Sequence, residues 1–147
     1  MIEEWKPIKD YETLYEVSNT GKVRSLSRKV IVKNKYGAIS TRMTKAKELK
    51  PQMRGEYYMV WLCKNGKSKQ YNIHRLVGET FLKNPNNLRD INHKDENKLN
   101  NNVSNLEFCT HKYYMNYGNR NKIISIKASK PRKKKIDKLN ELKEDNK

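Results

Sequence analysis

The sequence predicts an α+β fold in which small antiparallel sheets come first and short helices follow. Three observations carry this expectation. YYMVWLCKNGKSKQYNIH, residues 57–74, places Asn65-Gly66 between two strand-like runs, Tyr57–Cys63 and Lys69–His74. Asn-Gly tolerates the positive φ angles of a tight hairpin turn, which makes this the strongest hairpin signal in the chain. EVSNTGKVRSL reads as strand, turn and strand around Asn19-Thr20-Gly21, flanked by Val17 and Val23. HRLVGETFL, residues 74–82, reads as a short helix stopped by Asn84-Pro85.

In chain order, residues 1–50 form an aromatic-rich head and then a Lys/Arg-rich stretch with β-branched residues. Residues 51–118 hold the hairpin and the helix. The hairpin's first strand is apolar or aromatic on both faces: Tyr58, Val60 and Leu62 alternate with Tyr57, Met59 and Trp61. One face suits a core, and the other suits a second element or a ligand surface. After Pro85 a short strand is expected at Asp90–His93, then a polar loop, a strand at Leu106–Cys109, and a helix capped by Thr110. Residues 119–147 are a basic tail with PRKKK at 131–135. Ile136, Leu139 and Leu142 give the tail a weak stripe, enough for a marginal short helix.

Charge narrows the function. The net charge is +17, with +7 on residues 119–147 and +10 on residues 1–118, so the excess runs through the folded part as well as the tail. Such self-repulsion opposes compactness and points to a polyanionic partner, nucleic acid first. No apolar run approaches the ~20 residues of a membrane span, and MIEEWKPIKD lacks a signal-peptide pattern. Cys63 and Cys109 form no C-x-x-C pair. They read as buried thiols rather than a zinc site or a disulfide framework, which suits the cytoplasm.

The segment from His74 to Gly118 resembles the HNH nuclease domain of phage and intron-encoded homing endonucleases. The text that carries the resemblance is HRLV at 74–77, NP at 84–85, INHKDEN at 91–97, LNNNVSNLEF at 99–108 and CT at 109–110. EEWKPIKDYETLYEVSNTGKVRSL, residues 3–26, resembles the NUMOD-type DNA-binding module that precedes this domain in the family. The resemblance implies a NUMOD-type module over residues 1–50 and a nuclease domain over 51–118. A ββα-metal core would lie at about 90–118, followed by the basic tail.

By position, His93 matches the family's general base, Asn92 a metal ligand and Asn105 the structural middle asparagine. The chemistry agrees. Phosphodiester hydrolysis needs an activated water and a cation to stabilise developing charge. Histidine is the side chain that titrates near neutrality. The resemblance implies one divalent ion per site, Mg²⁺ or Mn²⁺, with no small-molecule cofactor. Asn100 to Asn102 read as ordinary turn residues. Lys22, Arg24, Arg28 and Lys29 after the head turn, Arg54, Lys67 and Lys69 around the hairpin, and Arg132, Lys133 and Lys134 in the tail are expected on double-stranded DNA. The protein is expected to act as a monomer in the cytoplasm of a bacterial host, encoded by a phage or mobile element.

The family pattern breaks at one point. Relatives carry Asn or His four residues after the conserved threonine, and here Thr110 is followed at that spacing by Tyr114. A neutral phenol, with a pKa of about 10, is a poor ligand for a hard cation. Asn116 lies roughly 200° further round a helix, whereas His111 lies about 60° away, so His111 is the replacement ligand to consider. Two functional classes stay open: a metal-dependent DNA endonuclease, and an inactive DNA-binding descendant acting by occupancy. A ribosomal-protein-like RNA binder is a distant third.

Overall fold

A computed structural model describes residues 2–118 and the pair 125–126. The expected tail helix and the cations Arg132, Lys133 and Lys134 lie outside the described residues. The chain divides into two compact units, residues 1–110 and 111–147.

Among the described residues the first unit is built from eleven short strands, one α-helix and a 3₁₀ turn at Val103–Asn105. Strands β1 (Trp5–Pro7), β2 (Tyr15–Ser18), β3 (Val23–Ser25) and β6 (Lys47–Glu48) form an antiparallel sheet in the order β1-β2-β3-β6. The turn between β2 and β3 is the expected one, with Gly21 at φ +93°. Inserted before β6 is a basic hairpin that was not expected from the sequence, β4 (Arg28–Lys33) with β5 (Ile39–Thr44). Alternation explains it: Arg28, Val30 and Val32 are half-buried, while Lys29, Ile31 and Lys33 are exposed.

The Asn65-Gly66 hairpin joins β8 (Tyr57–Lys64) to β9 (Lys67–Asn72), and β7 (Gln52–Arg54) pairs on the far side of β8. Met59, Val60 and Leu62 are buried, whereas Trp61 is 48% exposed. Helix α1 (Ile73–Phe81) follows directly, ending one residue earlier than expected, where Leu82 N–H bonds the Gly78 carbonyl. Strands β10 (Asp90–His93) and β11 (Leu106–Cys109) form the expected hairpin with His93 opposite Leu106. Both cysteines are thiols, but Cys63 is exposed. It occupies an outward position near the end of β8, which corrects the expectation that both are buried.

One core joins the head sheet to the β8–β9 hairpin, α1 and the β10–β11 pair. Ile8, Tyr11, Tyr15, Val17 and Val23 of the head pack with Val60, Leu62, Ile73, Leu76, Val77, Ile91 and Leu106. The Tyr15 hydroxyl accepts from the Cys63 N–H at 3.1 Å. Sequence character changes near residue 50, but packing runs on across it.

The second unit opens with helix α2 (His111–Asn116). Among the described residues, no helix is long and apolar enough to cross a membrane.

Candidate active site

The candidate site gathers at the end of β10. His93 is the last residue of that strand and is only 5% exposed. The His74 ring, from the start of α1, meets it edge-on with centroids 5.2 Å apart. Tyr57, from the start of β8, lies 5.0 Å from His74 and 6.3 Å from His93. A strand end, a helix start and a hairpin edge therefore converge on one imidazole.

The polar loop between β10 and β11 closes over this point. Asn101, 4% exposed, has its Oδ1 3.3 Å from His93 Nε2. Its Nδ2 donates to the Leu99 carbonyl, which turns Oδ1 toward the ring. An oxygen acceptor at Nε2 favours the tautomer with the proton there and leaves Nδ1 as the basic nitrogen. Burial pushes the His93 pKa below the ordinary 6.5, against the opposing influence of Asn101 and the nearby carboxylate of Asp95. Burial also lowers His74, with the nearby His93 and Arg75 adding to it, down to about 4. Both rings are neutral at neutral pH.

Asn105 ties the loop into shape. Its Nδ2 donates to Asp95 Oδ1 and to the Asn100 carbonyl, both at 2.8 Å, and its Oδ1 accepts from the Asp95 N–H at 3.0 Å. Asp95 also accepts from Asn100 Nδ2 and the Asn97 N–H. Burial opposes ionisation of Asp95, but these donors outweigh it and hold the carboxyl below its ordinary value. Lys98 pairs with Glu56, which anchors the loop's outer edge to the turn before β8.

Asn92 is buried, and its Nδ2 donates to Glu107 Oε1 at 2.9 Å across the β10–β11 pair. That bond fixes the amide so that Oδ1 is its other pole. Among the described residues no three His, Cys, Asp or Glu side chains form a cluster able to hold a metal. The oxygens of Asn92 and Glu107 nevertheless suit a hard cation that keeps most of its waters. His111 is the exposed first residue of α2, Tyr114 is half-buried in that helix and Asn116 is its exposed last residue.

The expected DNA-facing cations divide. Lys29, Arg54, Lys67 and Lys69 are exposed on the β4–β5 and β7–β8–β9 hairpins. Arg54 also bonds Gln70 Oε1 at 2.7 Å, and Lys69 lies over the Tyr71 ring. Arg24 is committed internally, 2.6 Å from Glu16 and stacked on Trp5. Lys22 pairs with Glu3, and Arg28 lies over Tyr15 with its guanidinium near the Leu14 carbonyl. Asn101, His74 and Glu107 were missed as site residues. Asn101 hid in an asparagine run, and the only pointer to His74 was its place at the start of the HRLV text.

Comparison with known proteins places the chain in a family. Residues 3–63 match the NUMOD4 motif. The chain is 40% identical over 126 residues to an uncharacterized HNH endonuclease of Acanthamoeba polyphaga mimivirus, covering 86% of this chain and 33% of that protein. It is 34% identical over 138 residues to the DNA endonuclease I-HmuI of Bacillus phage SP01, covering 87% of this chain and 70% of the phage enzyme. The chain thus spans about a third of the mimivirus relative and most of the phage one. A solved structure of I-HmuI, described as showing DNA binding and cleavage by that HNH homing endonuclease, matches with a TM-score of 0.58 and 33% identity. The match covers 96% of this chain and 68% of that one. With the site centred on His93 in the INHKDEN text and a NUMOD4 motif ahead of it, the chain belongs to the HNH homing endonuclease family.

Proposed function

We propose that the protein is a DNA endonuclease that hydrolyses phosphodiester bonds with His93 as general base. The observation that carries this reading is the His93–Asn101 bond, which presents a neutral imidazole with Nδ1 as its basic atom. Nδ1 takes a proton from water, and the oxygen so activated attacks the phosphorus in line with the leaving sugar oxygen. A divalent ion, Mg²⁺ or Mn²⁺, would supply charge stabilisation on the phosphate and the leaving oxygen. Asn92 Oδ1, with Glu107 beside it, would hold that ion, and His111 is the residue to test as a replacement for the family's helix ligand, whose position Tyr114 occupies. In sequence order the β10–β11 hairpin and α2 follow the plan of a ββα-metal unit.

The partner is double-stranded DNA. The exposed cations of the hairpins would bind phosphates, and the outward Trp61 would pack against the sugar–phosphate edge. The tail adds cations that increase affinity without choosing sequence. We read the protein as a monomer that acts in host cytoplasm, and its likeness to viral relatives supports action inside a host cell.

A second reading, occupancy of DNA without cleavage, draws on Tyr114 and on the 5% exposure of His93. Supercoiled plasmid with Mg²⁺ or Mn²⁺ separates the two. Wild type should nick or linearise it, and His93→Ala should slow cleavage by about 10²–10⁴-fold. Gel-shift affinity should hold within about threefold, since His93 offers DNA no cationic charge. Cleavage by His93→Ala at the wild-type rate overturns the base assignment. DNA binding by wild type without cleavage in either metal establishes occupancy.

A further inference from the structure

The turn of the head and the loop of the catalytic site touch at two points. The Asn19 carbonyl accepts the Val103 N–H at 2.8 Å. Gly21 lies so close to the loop that a Cβ built on it would be 2.9 Å from Asn101 Cβ and 3.3 Å from the Asn101 carbonyl oxygen. At φ +93° the position favours glycine on backbone grounds, and the contact requires glycine again on steric grounds.

The turn itself is stiff. Ser18, fully buried, accepts the Thr20 and Lys22 N–H groups on its Oγ. Asn19, 6% exposed, donates its Nδ2 to the Ile2 carbonyl at 3.0 Å and accepts the Glu4 N–H on Oδ1 at 3.1 Å. A rigid wall thus stands against the backbone and Cβ of the residue whose side chain holds His93.

We propose that the Asn19–Gly21 turn is a clamp on the catalytic loop. Gly21 acts as a positioning residue: it sets the place of Asn101, and through Asn101 the orientation of the His93 ring. This rests on His93 being the base. Gly21 touches no reacting group. A side chain there pushes Asn101 out of line, the bond to Nε2 weakens, and the ring is free to turn or to change tautomer. The clamp also gives the head a mechanical connection to the chemistry, because the turn belongs to the head sheet and its Gly21 lies against the residue that holds the ring.

The test is a double-mutant cycle on full-length protein, with single-turnover cleavage of plasmid at saturating protein. Gly21→Ala should cut about 10- to 100-fold more slowly, the scale expected for a misplaced catalytic group. Its affinity for DNA should stay within about threefold of wild type. Asn101→Ala should show a comparable loss, and Gly21→Ala added to it should cost nothing further, since the two act through one bond. Gly37→Ala carries a similar positive-φ strain, with only the flexible end of Lys33 nearby, and should cut at the wild-type rate.

Imidazole ¹⁵N spectra of His93 read the same coupling without cleavage. Wild type should show the Nε2–H tautomer, and Gly21→Ala a mixture. If Gly21→Ala does not fold, Asn19→Ala loosens the same turn without adding an atom and should give the same losses. Three results each overturn the clamp: wild-type rate and tautomer in a folded turn variant, fully multiplicative losses in the cycle, or an equal loss from Gly37→Ala. The base reading fails separately, by unimpaired cleavage in His93→Ala. The spectra then still report whether the turn sets the ring.

Discussion

Stability should fall in mild acid because of one buried ring. His74 is 9% exposed and its Nδ1 has no hydrogen-bond partner. Burial first, then the nearby His93 and Arg75, bring its pKa from the ordinary 6.5 to about 4. Unfolding returns the ring to water and to its ordinary value. Between those two values the unfolded chain binds a proton that the folded chain refuses, so stability rises with pH across that window. The contribution is fully present above 6.5 and is lost as pH falls toward 4. At about 1.36 kcal/mol per pH unit, moving from about pH 7 to about pH 5 should remove about 2 kcal/mol through this ring alone. That is a large part of a typical stability of about 5–15 kcal/mol. Urea unfolding of wild type and His74→Phe at both pH values isolates the effect. The variant replaces an unpaired polar ring by an apolar one of similar shape, so it should lose less stability over the interval by about 2 kcal/mol. An identical pH dependence in the two proteins would refute the reasoning.

Asn105→Ala removes three hydrogen bonds around Asp95 and Asn100 and should cost about 3 kcal/mol in urea unfolding. A loss under about 0.5 kcal/mol would mean that the loop is held by something else. DNA affinity should fall steeply with salt. If Lys29, Arg54, Lys67 and Lys69 each neutralise one phosphate, their share of the log–log slope is about −4, and replacing all four by Ala should flatten it by that amount. A slope unchanged in the quadruple variant would move the DNA to another face. Tyr114→Asn, which restores the family residue, should raise nicking in Mg²⁺, while wild type should favour Mn²⁺ and lose that preference in His111→Ala. Rapid Mg²⁺ cleavage by wild type, with no gain in Tyr114→Asn, would make Asn116 the residue to test.

The parts of the fold that could be read from the sequence are those in which neighbouring residues decide the outcome. Asn65-Gly66 fixes a hairpin turn whatever lies around it, and β10 and β11 fall where their short apolar runs place them, at Asp90–His93 and Leu106–Cys109. The β4–β5 hairpin escaped notice because its exposed face carries Lys29, Ile31 and Lys33, so neither face gives the usual contrast of apolar and polar. The site divides in the same way. His93 stood out because an imidazole in a motif has few other uses. Asn101 did not, because an asparagine in a run of asparagines looks like turn chemistry. Only the fold reveals that this one is buried and faces the ring, while Asn100 and Asn102 bond within their own loop.

Sequence motifs are contiguous, whereas the interactions that position a catalytic group need not be, and this chain separates the two. The NUMOD4 match ends at residue 63, one residue short of the end of β8, so it already includes strand residues that pack under the nuclease helix. Val17 and Val23, almost completely buried, belong to the same core as Leu76, Val77 and Leu106. The head is therefore not a module attached to a finished nuclease: it provides much of the core on which α1 and β10 rest. Those two elements carry His74 and His93. On the function proposed above, a residue in the head can alter the base without touching it, and a DNA contact on the head bears on the same compact unit that holds the ring. In such an architecture, binding and catalysis share their supports, and substitutions far from His93 in sequence should affect both through packing.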